Sequence, residues 1–171
     1  MRLYLVRHGD ATTPDENPKR PLSAKGRQDI ERMASFLARG RVKPARFINS
    51  GKLRAVETAA IFARTLNPAA IMEEESGLQP HDPVGGLVEA ANAWAADADS
   101  FSAAPAAAGG NGSVMVVGHL PFMARAVSAL VGAGAGLEFA DFSTGAVACL
   151  EPDAGTRWRL VWFLSPQVLG G

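Results

Sequence analysis

Two histidines and two arginines stand where apolar runs of this chain stop. Leu3-Tyr4-Leu5-Val6 ends at Arg7-His8-Gly9, Phe47-Ile48-Asn49 opens into residues 50–54 with Arg54, and Val114-Met115-Val116-Val117 ends at Gly118-His119. A neutral histidine held in one tautomer is a competent phosphoryl acceptor, its ring nitrogen attacking phosphorus in line. Phosphoryl transfer asks a protein chiefly for positioning and for positive charge on the equatorial oxygens, and arginine offers planar, bidentate donors that stay charged. In this reading His8 is the nucleophile, His119 donates to the phosphoryl group, and Arg7 and Arg54 hold its oxygens. A helix beginning near Lys52 would add the N–H groups and positive dipole end of its N-terminus. Plainer alternatives stand beside it: structural histidines at two strand ends, a solvated Arg54, and a His119 that only bonds backbone in a turn.

Other chemistries fit less well. There is no Gly-x-x-x-x-Gly-Lys-Ser/Thr loop, and Gly132, Gly134 and Gly136 lack the spacing and preceding strand of a dinucleotide fingerprint. A cysteine phosphatase needs Cys-x5-Arg, but Gly155 stands at that distance from Cys149. Asp97-Ala98-Asp99 lies in a helical pattern and reads as surface acids. His-Glu-x-x-His is absent and the three histidines are scattered, so no metal site and no cofactor are expected.

The elements that must position these groups are legible in the apolar periodicity. Strands are expected over 3–6, 47–49, 70–72, 114–117, 146–150 and 158–164, the last two as a hairpin turning at Pro152-Asp153-Ala154-Gly155. Helices are expected after Ser23 as N-cap, with Ile30, Met33, Ala34, Phe36 and Leu37 on one face and Gly40 as the stop; over 52–66, through Val56, Ala59, Ala60 and Ala63; over 84–100, through Leu87, Val88, Ala91 and Trp94; and over 121–131, with Pro121 in the first turn. Residues 103–113, rich in Ala and Gly, read as a flexible surface loop. Strands alternating with helices predict a three-layer α/β/α sandwich around a mostly parallel sheet. In such sheets ligands bind beyond the carboxyl ends of the strands, where the three polar strand exits would converge.

Composition sets the outer bounds. The 171 residues are 47% apolar with a formal charge of +0 and one Cys, which suits a single domain over 1–171 needing no disulfide. No apolar run reaches the ~20 residues of a membrane span, and no secretory signal follows Arg2, so a cytoplasmic location is expected. The zero charge hides an asymmetry. Residues 1–64 hold 14 of the 17 Lys and Arg against 6 acids, a formal +8, and the remainder is −8. A basic cluster of this kind suggests an anion-binding face, with a solvated surface as the plainer option. Nucleic acid is not favoured, since aromatics are few and the chain as a whole is not basic. The oligomeric state is not legible.

Together these motifs resemble the histidine phosphatases of the phosphoglycerate-mutase-like fold. Leu5-Val6-Arg7-His8-Gly9 is similar to their signature, Ser50-x-x-x-Arg54-Ala55-x-x-Thr58-Ala59 to their second motif, and Val116-Val117-Gly118-His119 to their third. Within the family the short SixA-type phosphohistidine phosphatases look most similar, through Arg-His-Gly-Asp-Ala at 7–11, Arg-Pro-Leu-Ser and a following Gly at 20–26, Gly-His-Leu-Pro at 118–121 and a closing Ser165-Pro166. The resemblance implies that His8 becomes transiently phosphorylated, that Arg7, Arg54 and Gly9 bind the phosphoryl oxygens, that His119 completes the pocket, and that Arg20 contributes. One departure is Gly51, where the family usually has Pro; a looser turn is expected there. Larger members place a carboxylate general acid between the second and third motifs. The candidates here are Asp82 and, behind it, Glu89, while His81 reads as a surface residue. A phosphohistidine substrate needs less acid help, because imidazole leaves easily once protonated.

Between Arg64 and Arg125 the sequence has no Lys or Arg, whereas a second phosphate or carboxylate on a small substrate would need cations in that interval, which forms the cap of larger relatives. The interval is also short, so a minimal cap and an open pocket are expected. The leading expectation is a metal-independent hydrolase acting on phosphohistidine of a signalling protein. The alternatives are a phosphatase of small phosphomonoesters and a catalytically idle phosphoprotein-binding module.

Overall fold

The computed structural model describes residues 1–97, 112–132, 142–153 and 157–170. Six strands form one sheet: β1 (Leu3–Arg7), β2 (Arg46–Asn49), β3 (Ile71–Glu74), β4 (Val114–Gly118), β5 (Val147–Pro152) and β6 (Trp158–Leu164). Their order is β3-β2-β4-β1-β5-β6. The first four in that order run parallel, and β5 and β6 are antiparallel additions on the far side of β1. Four helices, α1 (Ala24–Arg39), α2 (Leu53–Leu66), α3 (Gly85–Ala96) and α4 (Phe122–Leu130), and a terminal 3-10 turn at Pro166–Leu169 complete the described elements.

The alternation of side chains along each strand builds the layers. Tyr4, Val6, Met115 and Val117 join α1 and α2 in one core, through Ile30, Met33, Leu37, Ala59 and Phe62. Leu3, Leu5, Val114 and Val116 join α3 and α4 in the other, through Leu87, Ala91, Phe122 and Ala126. The result is the expected three-layer, mostly parallel α/β/α sandwich. Placing Leu87 and Ala91 against the sheet commits α3 to a structural layer, so this part of the 64–125 interval is not a cap over the strand ends. Among the described residues no helix is long and apolar enough to cross a membrane.

Several expected boundaries shift for local reasons. The third strand begins at Ile71 and runs through Glu73 and Glu74, because Ala70 donates its N–H to Asn67 in a turn while Glu73 pairs with Arg46 across the strands at 2.5 Å. Phe36 lies off the α1 stripe and is 45% exposed, since Ile30, Met33, Ala34 and Leu37 at 3–4 residue spacing already fill the buried face. Gly40 follows α1, but the left-handed residue is Arg41, at φ 55°; Arg41 N–H donates to Ala38 O and Val42 N–H to Leu37 O, a Schellman pattern. The buried stripe of α2 runs through Ala55, Thr58, Ala59 and Phe62, leaving Val56 and Ala60 half-buried. Pro121 precedes α4 as its N-cap. The expected loop at 103–113 lies outside the described residues up to 111, as do residues 98–100 of the third expected helix, Gly134, Gly136, and Ala154 and Gly155 of the hairpin turn.

Candidate active site

Because β2, β4 and β1 are adjacent and parallel, their carboxyl ends leave the sheet along one edge, with Arg7 opposite Gly118 and Asn49 opposite Val117. His8 N–H donates to Gly118 O at 3.0 Å, which brings the residues after β1 and β4 side by side. The rings of His8 and His119 lie 5.0 Å apart, centroid to centroid. His119 is 2% exposed and its carbonyl accepts the N–H of Met123, locking it to the start of α4.

His8 is held at both nitrogens. Nδ1 lies 2.7 Å from the Gly9 carbonyl, an acceptor only, so Nδ1 carries the proton. Nε2 accepts from Arg54 Nε at 3.1 Å, which requires it to be unprotonated. Burial drives the pKa of His8 down to about 4, against the raising effect of the Gly9 bond and with help from Arg54, Arg7 and Arg20. Burial likewise pushes His119 down to about 3, aided by His8, Arg54, Lys52 and Arg20. Both rings are therefore neutral at physiological pH.

The loop after β1 is clasped from two sides. Gly9 N–H donates to Thr58 Oγ1 at 3.0 Å, and Thr58 Oγ1 donates to Arg54 O at 2.7 Å, tying the loop to the turn of α2 that carries Arg54. On the other side Ser23 caps α1 by accepting from Gly26 N–H, donates its hydroxyl to Asp10 Oδ2 at 2.5 Å and its N–H to Asp10 O at 3.0 Å. A Cβ on Gly26 would collide with the Asp10 carbonyl, and one on Gly9 would meet Ile30 Cγ1 at 2.8 Å. The Arg-Pro-Leu-Ser and Gly pattern at 20–26 is thus the device that packs α1 onto the loop holding His8.

Cations gather around the two rings. Arg7 Nη1 donates to Phe142 O at 2.8 Å. Arg20, in the left-handed region at φ 49°, donates Nε to Thr12 O, and its charge acts on His8, Arg54, Lys52 and His119. Lys52 is the N-cap of α2 but offers no side-chain cap, so the first turn of that 14-residue helix faces the same edge with its positive end. Such a cluster of like charges around two neutral imidazoles suits a tetrahedral oxyanion. Among the described residues no group of three or more His, Cys, Asp or Glu is arranged to hold a metal ion.

The expected site residues His8, Arg7, Arg54, His119, Gly9 and Arg20 are therefore brought together. Asp82 is differently placed: its Oδ2 accepts the N–H of Gln79 at 2.7 Å in a turn, its charge is felt by Lys52, and among the described residues no hydrogen bond joins it to His8, Arg54 or His119. Glu89 and His81 are exposed. The turn at Gly51, expected to be looser than the family's proline turn, is pinned by a side-chain hydrogen bond. Gly51 adopts φ 75°, which proline cannot, donates to Asn49 Oδ1 at 3.0 Å, and has the Glu74 carboxylate where a Cβ would go. Sequence reasoning overlooked Lys52, Ser50, Thr58 and Gln79. Ser50 and Thr58 stood inside the second motif without roles, and Gln79, whose Nε2 donates to Ser50 O at 2.9 Å, carried no signal.

The model of the histidine phosphatase superfamily (branch 1) matches residues 3–82. No curated protein matches the chain. Among solved structures, that of the protein histidine phosphatase SixA complexed with tungstate superposes with a TM-score of 0.82 at 27% identity, over 99% of this chain and 99% of that one. An Agrobacterium tumefaciens protein assigned as a phosphohistidine phosphatase SixA follows at TM-score 0.69 and 27% identity, over 96% and 97%. A mycobacterial glucosyl-3-phosphoglycerate phosphatase in complex with VO3 shares the fold, at TM-score 0.64 and 18% identity over 94% and 98%.

Proposed function

We propose that this chain, a histidine phosphatase superfamily protein of SixA-like form, removes the phosphoryl group from phosphohistidine on a partner protein through a covalent intermediate on His8. The observation that carries the reading is the doubly held His8, neutral at the pH of the cell, with Nδ1 tied to Gly9 O and the Nε2 lone pair turned toward Arg54. A nucleophile needs that lone pair, and burial keeps a proton off it.

In the first half-reaction Nε2 forms a bond to phosphorus as the bond from phosphorus to the substrate imidazole breaks. A substrate ring protonated on its far nitrogen leaves as neutral imidazole, so no carboxylic acid has to supply a proton. Arg7, Arg20, Arg54 and the first turn of α2 neutralise the equatorial oxygens, Gly9 keeps the loop close to them, and His119 donates to one of them. In the second half-reaction water attacks phosphorus, the P–Nε2 bond breaks with its electron pair returning to Nε2, and the proton lost by water leaves with phosphate or solvent. No step calls on a metal ion or a cofactor. An ester substrate would ask for a proton on its alkoxide, and among the described residues Asp82, whose Oδ2 is taken by the Gln79 amide, is not hydrogen-bonded to His8, Arg54 or His119 to supply it.

Two features favour a protein substrate. No Lys or Arg stands between Arg64 and Arg125 to hold a second anion, and α3, inside that interval, lies against the sheet. The resemblance to a structure called a protein histidine phosphatase points the same way.

The test is to mix the enzyme with a radiolabelled phosphohistidine protein and quench rapidly. An acid-labile, alkali-stable label on the wild type, absent from His8→Ala, is expected. Undiminished turnover by His8→Ala would overturn the mechanism, and a strong preference for a bisphosphate or sugar phosphate over the phosphohistidine protein would overturn the substrate class.

A further inference from the structure

We propose that Ser50 sets the tautomer of His119, donating its hydroxyl hydrogen to Nε2 so that Nδ1–H is the group His119 offers to the phosphoryl oxygen. The inference rests on the reading of this edge as a phosphoryl-transfer site and assigns Ser50 as a positioning residue within it.

The two atoms lie 2.6 Å apart in a buried contact, and distance alone does not say which of them donates. The surroundings do. His119 Nδ1 is buried and has no hydrogen-bond partner among the described residues. If the ring proton sat on Nε2 it would be given to Ser50, the serine hydrogen would have no acceptor among the described residues, and a bare Nδ1 lone pair would be the group left to meet an anion. With the proton on Nδ1 every group is used: Ser50 donates, Nε2 accepts, and Nδ1–H waits for an oxygen. The doubly protonated ring is disfavoured by burial and by the neighbouring Arg54, Lys52 and Arg20.

Ser50 is itself held for this task. It is 6% exposed, and Gln79 Nε2 donates to its carbonyl at 2.9 Å, while the Asp82 carboxylate fixes the Gln79 backbone. The turn that follows, through Gly51 at φ 75°, takes the chain on to Lys52 and Arg54, so one short segment presents both the phosphate-binding guanidinium and the hydroxyl that orients His119. His8 and His119 then share one tautomer and use it in opposite senses: His8 gives a lone pair to phosphorus through Nε2, and His119 gives a proton to oxygen through Nδ1.

The test reads the tautomer directly, in the full-length enzyme, from the side-chain nitrogen shifts of His119 by NMR. The expected result is a protonated Nδ1 and an unprotonated Nε2 in the wild type, a mixture of the two tautomers in Ser50→Ala, and recovery of the single form in Ser50→Thr. Turnover is expected to fall tenfold to a hundredfold in Ser50→Ala, mainly in kcat, and to return in Ser50→Thr. A wild-type His119 with its proton on Nε2 overturns the inference, and this measurement stands even if Ser50→Ala does not fold. A Ser50→Ala enzyme with unchanged tautomer and unchanged kcat overturns it as well. Failure of the wild type to form a phosphoenzyme would instead strike the function proposed above and leave the tautomer result readable.

Discussion

Arg54 Nε donates to His8 Nε2 across 3.1 Å, so in the resting site the arginine sits on the lone pair through which the histidine would attack. The bond keeps a proton off Nε2 and keeps the guanidinium within reach of whatever Nε2 attacks. An entering phosphoryl group offers the guanidinium two or three anionic oxygens in place of one neutral nitrogen, and an ion pair held by bidentate bonds is stronger than a single bond to a neutral acceptor. Substrate binding would therefore free the nucleophile by giving its partner something better.

This exchange predicts that Arg54→Lys is a poor substitute. A lysine keeps the charge but has neither the planar fork nor an N–H at the Nε position. Loss of one well-placed donor of this type costs about 10²–10³ in kcat. Turnover of a phosphohistidine protein is expected to fall by that order in Arg54→Lys while the melting temperature changes little. Activity within a factor of three of wild type would show that the site needs only the charge.

The burial of both histidines makes a pH prediction. His8 is lowered to about 4 and His119 to about 3, from an ordinary 6.5. Their ring proton signals in NMR titrations are expected to stay at neutral positions at pH 6 and to move only as pH approaches 4. Stability follows with a definite sign. Well above pH 6.5 the groups are neutral in both states; as pH falls through it the unfolded chain takes up protons that the folded chain refuses, so stability is lost, by at most about 1.4 kcal/mol per pH unit for each histidine, until the folded pKa is passed. Denaturant melts at pH 7, 6 and 5 measure this, and a pH-independent midpoint would refute it.

Much of this site was legible because it sits at strand ends. A run such as Val114 to Val117 is too apolar for anything but a buried strand, and the residue after it in a parallel sheet must emerge at the ligand edge, which placed His119 beside His8 without coordinates. What the sequence hid was pairing between side chains. Nothing in the spacing of Ser50 and His119, 69 residues apart, signals a 2.6 Å contact, and Gln79 has no periodicity to mark it. Arg41 in the left-handed position was equally hidden, since Gly40 was read only as the stop of the helix. Asp82 drew attention as a carboxylate in the right interval, but a short polar side chain in a turn has a local use, and here its Oδ2 is spent on the Gln79 amide.

Thr58 offers a cleaner mutational probe than either histidine. Its hydroxyl accepts from Gly9 N–H and donates to Arg54 O, and it is fully buried. Thr58→Val keeps the shape and leaves the Gly9 amide without its acceptor, a cost of about 1–3 kcal/mol. The same loop carries the carbonyl that fixes the His8 tautomer, so kcat is expected to fall about tenfold or more in protein that remains folded at 25 °C. Thr58→Ser, which restores the hydroxyl, should recover most of both quantities. A Thr58→Val enzyme with wild-type kcat would separate the clasp from the chemistry.

Gly26 tests the opposite clasp, and two effects compete there. Glycine inside a helix is worse than alanine by about 1 kcal/mol, so Gly26→Ala in α1 ought to stabilise by propensity alone. The added Cβ, however, would overlap the backbone carbonyl of Asp10, which cannot swing aside as a long side chain would, because Asp10 O also accepts Ser23 N–H. Overpacking against fixed backbone costs about 1–3 kcal/mol, more than propensity returns. Gly26→Ala is therefore expected to lower stability in urea melts, and to lower kcat as well, since relief of the clash must push α1 away from the loop that holds His8. A variant more stable than wild type would mean that propensity wins and that the approach of α1 to Asp10 is not what holds the loop.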